Sequence, residues 1–268
     1  MKNLALGIYL VFGLFACSPG EVEQTDNSVD RLPTELLKVM NAHGGLQNWN
    51  EMQTLQFSIP KGEFNEIHTI DLHSRMDRVM TPSFDIGFDG DSAWVKEKSG
   101  EYNDDPSFRH NLMFYFFAMP FVMADKGISY DETPPLAYGG KNYPGFKITY
   151  AAGVGSSSKD VYMLHYDPET YQMSWLGYKA TFGGELKDGP PNWVKYDEWA
   201  QVNGIRMPKS VAWQKVENGE ISGDRNRVNF MDISLSKDKK PASFYTKMAP
   251  LNDFTEIKMH TQISLKSF

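Results

Sequence analysis

Apolar residues fall along this chain in three patterns. Between residues 53 and 235 they alternate with polar ones over short stretches, and Gly, Asn, Asp and Pro punctuate the gaps. A period of two with turn residues at the breaks predicts half-buried β-strands. The segments are 53–59, 64–72, 85–88, 146–151, 161–166, 172–182, 193–199, 208–216 and 227–235. "FDGDSAWV" (88–95) reads as a hairpin, with Asp89-Gly90 suited to a type I′ turn. Asn218-Gly219 and "YDPET" (166–170) mark further turns, and 185–192 is expected to be a long loop. Connections this short imply antiparallel neighbours, because parallel ones need a crossover of about a dozen residues or more.

The second pattern is helical. "LPTELLKVMNAHGG" (32–45) places Leu36, Leu37 and Met40 on one face, with Pro33 suited to the first turn. Gly44-Gly45 can form the C-cap, and His43 lies in the last turn, where a cation would complement the helix dipole.

The third pattern is one continuous run, "LMFYFFAMPFVMA" (112–124), with three Met, four Phe and no charge. As a helix it would be roughly 20 Å long, whereas a bilayer core is about 30 Å thick. Pro120 kinks or divides any helix there. A membrane span therefore does not fit. Exposure to water does not fit either. Nine large apolar side chains at roughly 1.5–3 kcal/mol each outweigh a domain's net stability of about 5–15 kcal/mol. Apolar on all sides, the run must be covered on more than one. A long antiparallel sheet twists and curls, so its concave face needs a filler. Two versions stay open. The run completes a solid core, or it walls or lids a cavity for an apolar ligand, where adaptable Met is suited.

The first residues are read separately. Residues 1–3 carry one positive charge, 4–15 are apolar, and Leu14-Phe15-Ala16-Cys17 follows. That is a signal peptide, and its end resembles the lipobox of bacterial lipoproteins, although Phe15 stands where a smaller residue is usual. The resemblance implies cleavage after residue 16 and acylation of Cys17, the single cysteine, which becomes the anchor and leaves none for a disulfide. Residues 17–31 read as a flexible tether and 32–268 as a single domain. The whole chain has 27 basic against 34 acidic residues, and losing Lys2 leaves 26 against 34, a net of −8. No basic stripe is present, so nucleic acid is not an expected partner.

Several segments together resemble a known group. "FDGDSAWV" is similar to the strand-turn-strand of the LolA/LolB-like lipoprotein-localisation fold, "YDPETYQMSWLGYKATF" to its hairpin and long strand, and "YDEWAQVNGIRMPKSVAW" to its next strand pair. "AHGGLQNWNEM", "MPFVMAD" and "DPETYQM" resemble, more closely, an uncharacterised family of Gram-negative envelope lipoproteins. The resemblance spans about 32–235. It implies an α+β fold: a curved antiparallel half-barrel of about 9–11 strands, closed by a few helices, with an apolar interior. In LolA that interior holds the acyl chains of lipoproteins.

Catalytic signals are few. His68 and His73 are five apart, hence on opposite strand faces and unable to share a metal. Asp71, His73 and Arg75 share a face and read as a solvated polar edge. "DIGFDGD" fails as a calcium loop, since its third position is Gly87 and its twelfth Lys96. Ser156-x-x-Lys159 sits in a Gly/Ser loop without the accompanying motifs. Alternation puts Trp193 and Trp199 on one face. No metal or cofactor is expected.

The expectation is a monomeric lipoprotein anchored through Cys17, on the periplasmic side of the outer membrane rather than the cell surface. It would bind an apolar ligand, a lipid or lipoprotein acyl chain, against Met113, Phe114, Phe117 and Phe121. The alternatives are a structural or interaction lipoprotein with a solid core and, behind it, a hydrolase, which would need a cleft holding a His–carboxylate pair with shifted pKa values.

Overall fold

A computed structural model describes residues 31–153, 159–181, 184–186 and 188–247. Cys17, the signal segment, most of the tether and Ser156 lie outside the described residues.

The chain enters through helices α1 (Thr34–Ala42) and α2 (Leu46–Glu51). Leu36, Val39 and Met40 face inward. Pro33 takes the N-cap rather than the first turn. Gly44 and Gly45 end α1 as expected, at φ 108° and 88°, where glycine carries no Cβ penalty. His43 departs from expectation. It is fully buried, and desolvation pushes its pKa down to about 4. It is a neutral pin and not a cation at the dipole's end.

Thirteen strands follow among the described residues, in two sheets. The first is ordered β13-β1-β2-β3-β4-β5 and the second β12-β11-β10-β9-β8-β7-β6. Their ranges are β1 Thr54–Pro60, β2 Asn65–Asp71, β3 Asp77–Met80, β4 Phe84–Phe88, β5 Ala93–Glu97, β6 Ile128–Tyr138, β7 Lys141–Tyr150, β8 Val161–Tyr166, β9 Met173–Lys179, β10 Asn192–Val202, β11 Ile205–Glu217, β12 Glu220–Asn229 and β13 Met231–Ser236. Every pairing within them is antiparallel. The α+β class with curved antiparallel sheet stands, and the sheets do not close into a barrel. The strand count exceeds the expected 9–11 for local reasons. β3 is only four residues long and begins on two charged ones. β6 carries Pro134 and Pro135, which demote a strand in sequence. The single segment expected at 227–235 divides at Phe230, a buried residue where the chain leaves one sheet for the other.

Turn chemistry was legible in part. Asn218-Gly219 joins β11 to β12 with both residues at positive φ, 52° and 85°, the type I′ requirement. The β4–β5 hairpin forms, but Phe88 pairs with Ala93, so its loop has four residues. Asp89 supports it by accepting the Asp91 and Ser92 N–H groups at 3.0 and 2.9 Å. Trp193 and Trp199 do not share a face. Two register shifts between Lys195 and Trp199 interrupt the alternation. Trp199 meets His43 edge-on at 4.3 Å inside, while Trp193 lies against His165 and Gly177 on the other side.

Inward side chains of both sheets enter one core, Leu55, Phe57, Ile59 and Ile70 from the first and Leu164, Leu176, Val194, Met207 and Val211 from the second.

Candidate functional site: the apolar run and the cleft at its end

The apolar run is the layer between the sheets. It forms two short pieces, helix α4 (Leu112–Phe117) and one 3-10 turn, Phe121–Ala124. A break at Ala118–Pro120 divides them, as a proline in this run requires. Phe117, with no exposed surface, stacks on Phe57 of β1 at 4.2 Å and meets Phe230 at 4.6 Å. Phe116 reaches the second sheet, edge-on to Trp213 at 5.0 Å. Phe121 lies flat on Trp49 of α2, at 4.7 Å and 4°. Met113 and Phe114 are buried as well. The four residues proposed from sequence as lining thus all face the interior, and Phe121 borders a cleft as well.

Polar groups hold this apolar layer at both ends and in the middle. At its start, helix α3 (Pro106–Arg109) carries a basic pair. Arg109 donates to Glu66 at 2.6 Å, and His110 Nδ1 lies 2.5 Å from Asp77 Oδ2. In the middle the Tyr196 hydroxyl donates to the Phe116 carbonyl at 2.8 Å, and near its end the Tyr130 hydroxyl donates to that of Met123 at 2.6 Å. At its end Arg75 Nη2 donates to both Asp125 carboxylate oxygens, at 2.7 and 2.8 Å.

The clasp at the start is buried. Glu66, His68 and Asp77 are all but inaccessible, and His68 stacks on Phe57. Burial alone would raise the Glu66 carboxyl, but His68 and Arg109 together hold it down at about 2. Burial pushes His68 down and Asp77 up. A carboxylate accepting from both a neutral imidazole and a guanidinium is a stable arrangement. His68–Glu66 and His110–Asp77 are two buried His–carboxylate pairs, an arrangement of the kind a hydrolase would need. They fasten β2 and β3 to the start of the run, however, and none of their members borders the cleft.

Sequence alternation misplaced one group. β2 ends at Asp71, so Asp71, His73 and Arg75 form no strand face. Asp71 is buried and caps the β2–β3 turn, accepting the N–H groups of His73 and Ser74 at 3.0 and 2.8 Å. Arg75 then stands at φ 63°, turned toward Asp125.

The cleft lies beside that pair. It measures about 140 Å³, where α2, the β2–β3 turn and the end of the run meet. Trp49, Met52, Leu72 and Phe121 form its apolar wall, and His73, Arg75 and Asp125 its polar one. Burial raises the Asp125 carboxyl, with Arg75 opposing. Among the described residues no cluster of His, Cys, Asp and Glu could hold a metal, and no helix is long and apolar enough to cross a membrane.

Fold and site together define a domain of two curved antiparallel sheets with one clasped apolar run packed between them, beside the buried faces of α1 and α2. Comparison with known proteins adds the following. Residues 99–225, from the loop after β5 into β12, match the model of a family described as "Family of unknown function (DUF6503)". No curated protein matches. Solved structures that match include a DUF1329 family protein from Desulfovibrio piger, at 10% identity and TM-score 0.41, covering 75% of this chain and 91% of that one. A LolA superfamily protein from Nitrosomonas europaea matches at 10% identity and TM-score 0.37, covering 75% and 96%. The lipoprotein LppX from Mycobacterium tuberculosis matches at 10% identity and TM-score 0.25, covering 69% and 98%. The group that the sequence segments resemble is thus also found among the matched structures, while the fold itself rests on the strand pairing given above.

Proposed function

We propose that this protein is a lipid-anchored component of the cell envelope that holds an apolar ligand, a lipid or lipoprotein acyl chain, between its sheets and the Met/Phe run. Cys17 carries the anchor, on the periplasmic side of the outer membrane. Met113, Phe114, Phe117 and Phe121 contact the ligand.

One observation carries the reading. One continuous stretch of the core, residues 112–124, lies between the sheets and is clasped by side chains at its ends and centre. A strand's side chains cannot leave a core without breaking the sheet ladder. A short run held by a few side-chain bonds can shift while both sheets stay intact.

The test is native mass spectrometry with lipid extraction on the chain carrying Cys17→Ser, followed by hydrogen exchange with added fatty acid. A co-purifying or added lipid that changes protection across 112–124 supports the reading. A clean apo mass that ignores fatty acids and detergents removes it and makes the run a core element alone.

A further inference from the structure

The cleft beside Arg75 has chemistry that holding an acyl chain does not require. Of the charged residues lining it, Arg31, Arg75 and Lys126 are basic and Asp125 is acidic. An opening for a bare hydrocarbon chain has no need of charged groups at its rim.

Arg75 is the centre of the argument. Its Nη2 alone serves both oxygens of Asp125. The usual Arg–carboxylate pair is a fork on a fork, with two parallel N–H···O bonds. Here the second arm of the fork is not used that way, and Nη1 is buried with no hydrogen-bond partner among the described residues. A buried unpaired donor is destabilising by about 1–3 kcal/mol. Its backbone, at φ 63°, is in a region where glycine is the default and other residues carry about 1–3 kcal/mol of strain. Two unfavourable features on one arginine at a cleft point to a role outside folding. Its guanidinium also sits 5.1 Å from the Phe114 ring, so it touches the apolar run directly. Asp125, its partner, keeps 39% of its side chain exposed, so the pair is reachable from the cleft.

The apolar wall supplies the other half. Trp49 and Phe121 stack at the cleft's edge, and behind Phe121 the run leads into the core. An apolar cavity of about 150 Å³ accepts a benzene-sized group, so 140 Å³ suits a headgroup with a few methylenes and not a whole chain.

We infer that this cleft is the polar mouth of the interior and takes the anionic headgroup, carboxylate or phosphate, of a single-chain amphiphile, with Arg75 as the oxyanion donor and the Trp49–Phe121 stack as the door for the tail. The inference rests on the apolar-ligand reading above and adds the ligand's charge.

The experiment compares ligands of one chain length on the full chain carrying Cys17→Ser, by calorimetry and by tryptophan fluorescence. Dodecanoate and dodecyl phosphate are expected to bind about tenfold or more tightly than dodecanol at low salt, with the gap narrowing as salt rises. Arg75→Gln should bring all three within about twofold, by weakening the two anions far more than dodecanol. Acetate and inorganic phosphate should not compete. If dodecanol matches dodecanoate on the unsubstituted Arg75 chain, the headgroup site is wrong and the apolar reading survives. If no amphiphile binds, both fall. If acetate or phosphate competes as well as dodecanoate, the site is one for small anions and the inference is overturned. Should Arg75→Gln fail to fold by circular dichroism, the acid–alcohol gap and its salt dependence with Arg75 in place decide the matter alone, with Lys126→Gln expected to narrow the gap.

Discussion

Protonating His43 should loosen the first helix from the second sheet. Its ring is buried and bonded on both nitrogens. Nε2 accepts the Met173 N–H at 3.0 Å, and Nδ1 faces the Arg206 carbonyl at 3.4 Å. Only a neutral imidazole with its proton on Nδ1 satisfies both, because an imidazolium would set its Nε2–H against the Met173 N–H. Burial holds the folded pKa at about 4 against an ordinary 6.5. The folded state therefore binds fewer protons than the unfolded one between those values. Stability rises with pH across that window: it is fully present above 6.5 and lost as pH falls toward 4. At about 1.36 kcal/mol per pH decade, the window is worth roughly 3 kcal/mol, of which about 2.5 is gone by pH ~4.5. The assay is urea unfolding of the chain with and without His43→Gln, from pH ~4.5 to ~7.5. Gln cannot titrate, so its difference from the His43 chain isolates this ring from Glu66 and Asp77. The advantage of His43 should shrink by roughly 2–3 kcal/mol on going from pH ~7 to ~4.5. A difference that stays flat would mean that the ring is already charged or already exposed, and the argument from its two bonds would be refuted.

Phe117→Ala empties a site with no exposed surface between Phe57 and Phe230. It should cost about 3–5 kcal/mol, read as a fall in Tm of very roughly 7–15 °C; a loss under about 1.5 kcal/mol would show that the interior collapses readily around the run. Arg109→Met leaves the buried Glu66 carboxylate with the neutral His68 imidazole as its remaining side-chain partner among the described residues. About 2–4 kcal/mol should be lost, and acid unfolding should begin at higher pH, because the Glu66 contribution is present above its ordinary 4.5 and lost as pH falls toward about 2. Gly87→Ala puts a methyl onto the Asp77 carbonyl and 2.7 Å from the Trp94 ring. It should cost about 1–3 kcal/mol and redshift or quench Trp94 emission, and a neutral result would mean that β5 can slide.

What the sequence disclosed follows from how local each signal is. β8 came out at residues 161–166 as expected, because alternation and flanking turns are properties of the segment itself. The run at 112–124 was legible as buried because no energy balance lets it face water. The clasps were not legible. Glu66 and His68 alternate onto the same face as Ile70, and nothing within β2 says that this face is covered. Their covering partner, Arg109, lies 43 residues away from Glu66, and Asp125 lies 50 from Arg75. Trp199 was assigned the wrong face because bulges shift register without a mark in composition. His43 was read as a cation because helix position is local, whereas its burial is imposed by Met173 and Arg206, 130 and 163 residues away.

Magnitudes also constrain how an interior already filled could take a ligand. Seven large apolar side chains of the run are buried: Met113, Phe114, Phe117, Met119, Phe121, Val122 and Met123. Exposing all of them would cost roughly 10–20 kcal/mol. A sixteen-carbon chain gains about 12 kcal/mol on full burial at about 0.8 per methylene, and association itself costs about 4–15. A whole-run opening therefore loses. Parting one stacked pair, Trp49 from Phe121, exposes two rings and costs roughly 3–6 kcal/mol, about a third of the cost of opening the whole run. Entry must be local and at the end of the run, where the cleft and Arg75 are. The clasp at the start, Glu66–Arg109 and Asp77–His110, then keeps α4 on the sheets while the far end yields. On this reasoning a disulfide or cross-link that pins Phe121 to Trp49 would block uptake, while one that pins Arg109 to Glu66 would not.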